Sequence, residues 1–168
     1  RRAGTRAAKF AREAGMPDVN EGDDTVKSAL ARIAGLRSAN GNKRPGDIIR
    51  SLQRTTWEGL LALRSKASIN RVLGELQRIG AEEMPRLAVE SAGKLTEALE
   101  LQNLLLNADI VALTALKRTE SRAGHYREDF PNRDDKNWLK AIVVRAADGR
   151  MDLSPTVVDP DWKDMEGN

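Results

Sequence analysis

The sequence has no cysteine, and this absence excludes disulfide bonds, thiolate metal sites and cysteine nucleophiles. It has one histidine, His125, so no pair of histidines can hold a metal ion. Aromatic residues are only 4% of the chain, which leaves few rings on which nucleic-acid bases could stack. No apolar run approaches the roughly 20 residues that a membrane-spanning helix needs, so we expect no direct membrane insertion.

Two nucleotide-binding patterns are also missing, the dinucleotide-binding glycine motif and the phosphate loop. We therefore predict that this chain alone binds no flavin and has no catalytic or metal-binding residues of its own. Residues 1–50 hold 11 basic and 6 acidic groups. This excess indicates a solvated helix face; phosphate binding is the alternative and predicts an affinity that falls steeply with salt.

The remaining composition, 40% apolar and 32% charged, is typical of a globular protein. Apolar residues recur at three and four positions, which predicts a mainly α-helical fold. Five helices are expected: residues 1–14 before Gly15, a run after a cap at Asp23–Thr25, Pro45 to about Arg64, a run capped by Ser68 and interrupted at Met84–Pro85, and Ser91 to about Lys117.

Two expectations concern the packing of these helices. Trp57 has the spacing of a core residue in the third helix. The long helix after Ser91 is rich in leucine, which predicts that it is covered on more than one side. Its polar residues Asn103, Asn107 and Asp109 are expected to face outward.

The helical period disappears after Lys117, and residues 118–136 have too few apolar side chains to form a core alone. Residues 138–145 and 151–158 read as extended runs, and Asp148–Gly149 between them is a strong hairpin signal. Pro155 indicates that the second strand lies at a sheet edge. Residues 159–168 are expected to be frayed.

The polar segment contains two candidates for chemistry. Acidic side chains could form a magnesium site, but neighbouring arginines favour ion pairs instead; the acids are Glu128, Asp129, Asp134 and Asp135. His125 could act as a general base, with Ser121 four residues before it and Asp129 four after. No complete catalytic set is evident, so a structural or interface role for His125 is expected.

Read as a string, the segment from Arg118 to Leu139 resembles the signature that follows the last long helix of succinate dehydrogenase and fumarate reductase flavoproteins. The residues in step with that pattern are Arg118, Glu120, Ser121, Arg122, His125, Arg127, Asp129, Pro131, Arg133, Asp134, Asp135, Asn137 and Trp138. One departure is Ala123–Gly124, which replaces the more usual Gly–Ala and moves the flexible position by one residue.

The resemblance implies a three-helix, spectrin-repeat-like up-down-up bundle that packs on the flavin domain of the same polypeptide and lies near an iron–sulfur subunit. It implies FAD in the parent protein, held by the preceding domains, and a location that is cytoplasmic or peripheral at the inner face of a membrane through partner subunits. The same domain resembles that of L-aspartate oxidases and adenylylsulfate reductases. No initial methionine is present, which suggests excision from a longer protein.

Three segments are expected: residues 1–44 from the preceding flavin domain, the bundle at 45–118, and a motif-bearing tail at 119–168 with a hairpin at 138–158. We expect pairs between arginines and carboxylates to fix the tail to the bundle and to present Arg122 and His125 to a partner surface. The interface or structural residues are Glu120, Ser121, Arg122, His125, Arg127, Asp129, Arg133, Asp134, Asp135 and Trp138. The alternative is a free-standing helical adaptor, and an isolated bundle is expected to self-associate.

Overall fold

The computed structural model describes residues 2–15, 20, 22–38, 41–147 and 150–157. The chain divides into two units, Arg1–Ser38 and Ala39–Asn168. The helical bundle and the C-terminal segment both belong to the second unit.

The first unit contains two helices, α1 (Arg2–Ala14) and α2 (Asp24–Ser38). Gly15 follows α1 with a φ of 68°, the left-handed conformation in which glycine commonly ends a helix. Asp24 begins α2, where a negative charge complements the helix dipole. Both helices were predicted from the sequence and are confirmed.

The second unit is built around α3 (Pro45–Leu60), α4 (Lys66–Arg78) and α5 (Ala92–Lys117), and each of these helices packs against the other two. The predicted three-helix bundle is therefore confirmed. Each fully buried isoleucine or leucine contributes roughly 1.5–3 kcal/mol to its stability. The buried residues of the bundle include Ile48, Leu52, Ile69, Val72, Leu76, Ile79, Leu87, Ala98, Leu101, Ala108, Ala112 and Ala115.

The connection between α3 and α4 differs from the prediction at both ends. Helix α3 ends at Leu60 rather than near Arg64, because Leu61 leaves the helical conformation with a ψ of −157°. Helix α4 is capped by Ser65, whose hydroxyl accepts from the Ser68 N–H at 3.2 Å while the Ser68 hydroxyl accepts from the Ser65 N–H at 3.0 Å. Ser68 is thus the third residue of a capping box, and its prediction as the cap itself was wrong.

The interruption predicted at Met84–Pro85 is present. After α4 the chain forms a π-helical turn at Ile79–Glu83 and a 3₁₀ turn at Met84–Arg86. The long helix α5 then begins at Ala92, and its cap Ser91 accepts a hydrogen bond from the Lys94 N–H at 3.3 Å.

Trp57 is not a core residue, because 67% of its side chain is exposed. In α3 the buried positions 48, 52 and 59 share one face, and position 57 lies on the opposite face. Trp57 instead lines an open apolar cavity of about 340 Å³ between α3 and α5, together with Leu61, Leu104 and Val111.

The prediction that α5 is covered on more than one side was also wrong. Its buried residues, four alanines and one leucine, lie on one face, and Leu106 and Val111 remain 51% and 45% exposed. Small alanine side chains let α3 and α4 approach closely but leave the flanking leucines uncovered. Of the polar residues, Asn103 and Asn107 are exposed as expected, whereas Asp109 is half-buried. Burial raises the pKa of Asp109.

Among the helices that the structure describes, only α5 is long enough and apolar enough to span a membrane. One face of α5 packs against α3 and α4, and 17% of its apolar 18-residue window is buried within the chain.

The C-terminal segment adds short strands and a hairpin. Strand β1 (Leu63–Arg64) pairs in parallel with β2 (Tyr126–Arg127), and a single helical turn, α6, spans Asp135–Trp138. Strands β3 (Lys140–Ala147) and β4 (Arg150–Val157) pair antiparallel, with Ile142 opposite Pro155, which confirms the predicted hairpin and its edge proline. The predicted turn at Asp148–Gly149 and the C-terminal residues 159–168 lie outside the described residues.

Candidate functional site

The motif segment, which we define as Arg118–Trp138, begins where α5 ends and runs alongside the connection between α3 and α4. It is joined to that connection by the pairing of β2 with β1 and by a hydrogen bond of 2.8 Å from the Glu128 N–H to the Arg64 carbonyl. The segment holds buried polar side chains where a core would normally be apolar; these are Glu120, Ser121 and Arg127. Its order therefore depends on hydrogen bonds and ion pairs.

Arg127 is the central cation of the segment, with only 1% of its side chain exposed. Its Nε and Nη2 each donate to one carboxylate oxygen of Asp129 at 2.7 Å. Its Nη1 donates to the Ala115 carbonyl at 2.7 Å and also reaches two further carbonyls at the end of α5. The last carbonyls of a helix lack partners within the helix and favour a cation, so Arg127 closes the end of α5.

Asp129 connects that helix end to the start of another helix. Its Oδ2 accepts from the backbone N–H of Lys66, the first residue of α4, at 3.0 Å. The hydrogen bonds from Arg127 are the main cause that lowers the pKa of Asp129 to about 2. Arg127 and Asp129 together tie the end of α5 to the beginning of α4.

Glu120 is the central anion of the segment and is fully buried. It accepts from Arg118 Nη1 at 2.6 Å, from Arg122 Nε at 2.8 Å and Nη2 at 3.0 Å, and from the Asp134 N–H at 2.8 Å. Burial alone would raise the pKa of Glu120, but these donors outweigh burial and lower the pKa to about 2. Glu120 is therefore a carboxylate at neutral pH.

A second layer of ion pairs surrounds Glu120. Arg122 Nη2 donates to Asp135 at 2.6 Å, and Arg133 Nε donates to the same carboxylate oxygen at 2.7 Å. The hydrogen bonds from Arg133 and Arg122 lower the pKa of Asp135. The hydrogen bonds that Arg122 donates to Glu120, and next to Asp135, raise the pKa of Arg122. Asp134 pairs with no arginine among the described residues; its carboxylate caps α6 by accepting from the Asn137 N–H at 3.1 Å.

Neutral donors and rings complete the segment. The Ser121 hydroxyl accepts from the Arg127 N–H and donates to the Phe130 carbonyl, both at 2.8 Å. The indole N–H of Trp138 donates to the Thr119 hydroxyl at 2.9 Å, and the Arg118 guanidinium lies 5.1 Å from the centre of the Trp138 ring. Arg118 also donates to the Lys140 carbonyl at 2.6 Å, which positions the first residue of the hairpin.

The imidazole of His125 makes its side-chain hydrogen bond to a residue outside the motif segment. Its Nδ1 accepts a hydrogen bond of 2.7 Å from Arg64 Nη1. Burial, and next the positive charge of Arg64, lower the pKa of His125, so the imidazole is neutral at neutral pH. Ser121 and Asp129 bond to other groups, so the three residues form no nucleophile–base arrangement.

The turn before His125 contains the exchanged alanine and glycine. The Arg122 and His125 backbones exchange two hydrogen bonds, at 2.8 and 2.9 Å, across Ala123–Gly124. Ala123 has a φ of +50°, whereas Gly124 does not have a positive φ. A positive φ at the first central position alone is typical of a type II′ turn, which favours glycine at that position. Position 123 therefore has a backbone conformation that favours glycine, although the residue there is alanine.

The acidic residues considered for a magnesium site do not converge on one point. Asp129 pairs with Arg127, Asp134 caps α6, and Asp135 pairs with two arginines. Within the described ranges no group of three or more carboxylate or imidazole side chains is placed to hold a metal ion.

Two arginines of the network are not among the predicted site residues. Arg118 belongs to the motif pattern but not to the predicted set, and Arg64 is predicted only as the end of a helix. Arg64 lies 61 positions before His125, so no local pattern connects the two residues.

Comparison with known proteins identifies the family of this chain. The family described as the C-terminal region of fumarate reductase flavoproteins matches residues 49–164. One subunit of the fumarate reductase (CoM/CoB) of Methanothermobacter marburgensis is 32% identical over 86% of this chain and 26% of its own length. The flavoprotein subunit of the 8-methylmenaquinol:fumarate reductase of Wolinella succinogenes is 31% identical over 97% of this chain and 26% of its own length.

A solved structure shares the fold. The FrdA protein of a variant of E. coli quinol fumarate reductase superposes with a TM-score of 0.75 and 27% identity, covering 93% of this chain and 28% of FrdA. The chain thus spans about a quarter of the length of these relatives. Because the family match extends over more than half of the sequence and includes the whole motif segment, the chain belongs to the family of C-terminal domains of succinate dehydrogenase and fumarate reductase flavoproteins.

Proposed function

We propose that this chain is the non-catalytic C-terminal domain of an FAD-dependent oxidoreductase and that it packs against the flavin-binding domain of the same polypeptide. The observation that carries this proposal is the family match over residues 49–164 in a chain that spans about a quarter of its relatives. The other three quarters of such a relative would then hold the flavin and the substrate.

The residues of this chain do not fit an FAD site. The sequence has no dinucleotide-binding glycine motif, and the motif arginines that could bind a pyrophosphate already pair with carboxylates. FAD, when bound to the parent protein, would supply the redox chemistry. The role of this domain would be to hold a rigid surface in place, and the network around Glu120 and Arg127 provides that rigidity.

The apolar cavity between α3 and α5 is the surface that we propose faces the flavin-binding domain. Trp57, Leu61, Leu104 and Val111 line it, and all four side chains are at least 37% exposed. Only 17% of the most apolar 18-residue window of α5 is buried within this chain. A contiguous apolar surface of this kind usually marks an interaction site, and when isolated it would favour self-association.

The names of the relatives support a further proposal about partners and location. They are called subunits or flavoprotein subunits of fumarate reductase or succinate dehydrogenase. We propose that the parent protein likewise assembles with an iron–sulfur subunit. Through its partners it would lie in the cytoplasm or at the inner face of a membrane.

The docking proposal can be tested in the longer flavoprotein with Trp57→Glu. Burying a carboxylate in an apolar interface is costly, so we expect a loss of bound flavin and of assembled subunits. Val157→Glu is the matched control, because Val157 has the same 67% exposure but lies at the end of β4. Equal flavin content in the two variants would exclude docking through this cavity.

The chain alone provides a second test. We expect a colourless preparation with no succinate or fumarate turnover, measured by flavin absorbance and a dye-coupled assay. A stoichiometric flavin absorbance band in the purified chain would overturn the assignment of the flavin to another domain.

A further inference from the structure

A second pocket, of about 360 Å³, lies between the C-terminal half of α5, strand β3 and the motif segment. We call it the Arg64–His125 pocket, because these two side chains line it together with Arg118. Its other walls are mainly apolar and include Ile110, Ala115, Ile142 and Val144. The pocket therefore combines positive charge with mainly apolar walls.

Arg64 is the one cation of this pocket that lacks a counter-ion. Its Nε donates to the Leu60 carbonyl at 2.8 Å and its Nη1 to His125, but Nη2 has no hydrogen-bond partner and no carboxylate pairs with it in the described part of the chain. Arg118, by contrast, pairs with Glu120. Burial lowers the pKa of Arg64, as expected for a guanidinium that has lost water without gaining an anion.

His125 offers a second unsatisfied donor. A neutral imidazole that accepts at Nδ1 carries its proton on Nε2, so Nε2–H is a donor. The Nε2 atom is buried and has no hydrogen-bond partner of normal geometry among the described residues, although an interaction with the Arg118 backbone acts to raise the pKa of His125. A ligand in the pocket therefore reaches Nε2 only when the imidazole turns or a neighbouring group moves aside. Buried polar atoms without partners are rare in folded proteins, and here the orphaned donor belongs to a residue that lines the same pocket as the unpaired guanidinium.

We propose that the Arg64–His125 pocket is a binding site for a carboxylate group. A carboxylate is an acceptor without donors, so it suits both an arginine N–H and an imidazole Nε2–H. The apolar walls strengthen its attraction to Arg64 by lowering the local dielectric constant. One unpaired guanidinium matches one negative charge, which favours a carboxylate over the more highly charged phosphate. This proposal does not depend on the presence of a flavin domain.

His125 gives a direct readout, because it is the only histidine and its imidazole produces a single set of NMR signals. We would label histidine with ¹⁵N and titrate the 168-residue chain with acetate and with succinate, using chloride at matched ionic strength as the reference. We expect saturable shifts of the Nε2 signal. Saturation should also raise the pKa of His125, because a nearby anion favours the imidazolium.

The two probes distinguish the two sources of a carboxylate. Similar affinities for acetate and succinate would identify a single carboxylate, as an aspartate or glutamate side chain of a neighbouring segment presents it. An affinity for succinate at least about tenfold higher would identify a free dicarboxylate, because its second charge then also contributes.

The contribution of Arg64 is tested by substitution. Arg64→Gln should weaken carboxylate binding about tenfold or more, whereas Arg50→Gln, at an arginine whose side chain is 70% exposed on α3, should leave it unchanged. If Arg64→Gln does not fold, the pKa of His125 in the unsubstituted chain decides the question. No saturable shift and no rise of that pKa with either probe would overturn the proposal.

Discussion

Exchanging Ala123 and Gly124 should stabilise the protein, and the structure allows the size of the effect to be worked out. Ala123 has a φ of +50°, and an L-residue with a side chain loses about 1–2 kcal/mol in left-handed backbone conformations. Glycine at 123 removes that strain but makes the unfolded chain more flexible, at a cost of about 0.4–1 kcal/mol. Alanine at 124 recovers about the same amount, because its methyl group would meet no atom within 4 Å.

The double substitution Ala123→Gly/Gly124→Ala is therefore expected to raise the free energy of unfolding by about 1–2 kcal/mol. Urea denaturation followed by circular dichroism at the helix band measures this change. The midpoint of thermal unfolding should rise by about 2–8 °C.

Single variants separate the two contributions. Ala146→Gly is the matched control for glycine, because Ala146 is exposed in β3 and has no positive φ; it should lose about 0.5–1 kcal/mol. Ala123→Ser keeps the β-carbon and should give no gain. If Ala123→Gly destabilises the chain as much as Ala146→Gly, the turn is not strained at position 123 and the reasoning fails.

Three further predictions concern the motif segment and the bundle. Arg127→Leu should lower the free energy of unfolding, measured in urea, by about 3–5 kcal/mol, because it leaves buried carbonyls and a carboxylate without their cation. The control Arg133→Gln, at a side chain that is 62% exposed, should lower it by less than about 1 kcal/mol. The pKa of Glu120 is lowered from 4.5 to about 2, so its stabilising contribution is complete above about pH 5 and is lost as the pH falls towards 2. Urea denaturation at several pH values across that range should show this loss of stability. In Glu120→Gln the loss of stability with falling pH should be smaller. Gly59→Ala should destabilise the protein by about 1–3 kcal/mol, because the added methyl group would overlap a valine of α4. Gly74→Ala, where the methyl group would enter open space on α4, should stabilise the protein by up to about 1 kcal/mol. Thermal unfolding measures both changes.

Each of these predictions has a result that contradicts it. Equal losses for Arg127→Leu and Arg133→Gln would mean that the buried ion pair does not hold the segment. A slope of stability with pH that is unchanged in Glu120→Gln would assign the acid sensitivity to other carboxylates. Equal effects at Gly59 and Gly74 would show that the α3–α4 contact is loose.

Much of the fold follows from local sequence patterns. The spacing of apolar residues located four of the five predicted helices, because one face of a helix in a bundle is buried. The first helix was predicted instead from its alanine- and arginine-rich composition and from Gly15, and its residues 3–14 are exposed. The pairing of β3 with β4 was predicted in the same way, from two extended runs of residues separated by two residues that favour a tight turn. Where Trp57 and the α5 leucines were assigned to the core, the same argument failed, since periodicity marks an apolar stripe but does not say whether anything covers it.

The sequence by itself determined that this chain is a helical bundle with a C-terminal hairpin, and its motif segment was sufficient to assign it to a flavoprotein family. Only the tertiary structure decided which charges meet. Arg64 reaches His125 across 61 positions, and Asp129 caps a helix that begins 63 residues earlier. Contacts of this kind depend on how the helices pack, and packing is set by the whole core rather than by any neighbouring residues.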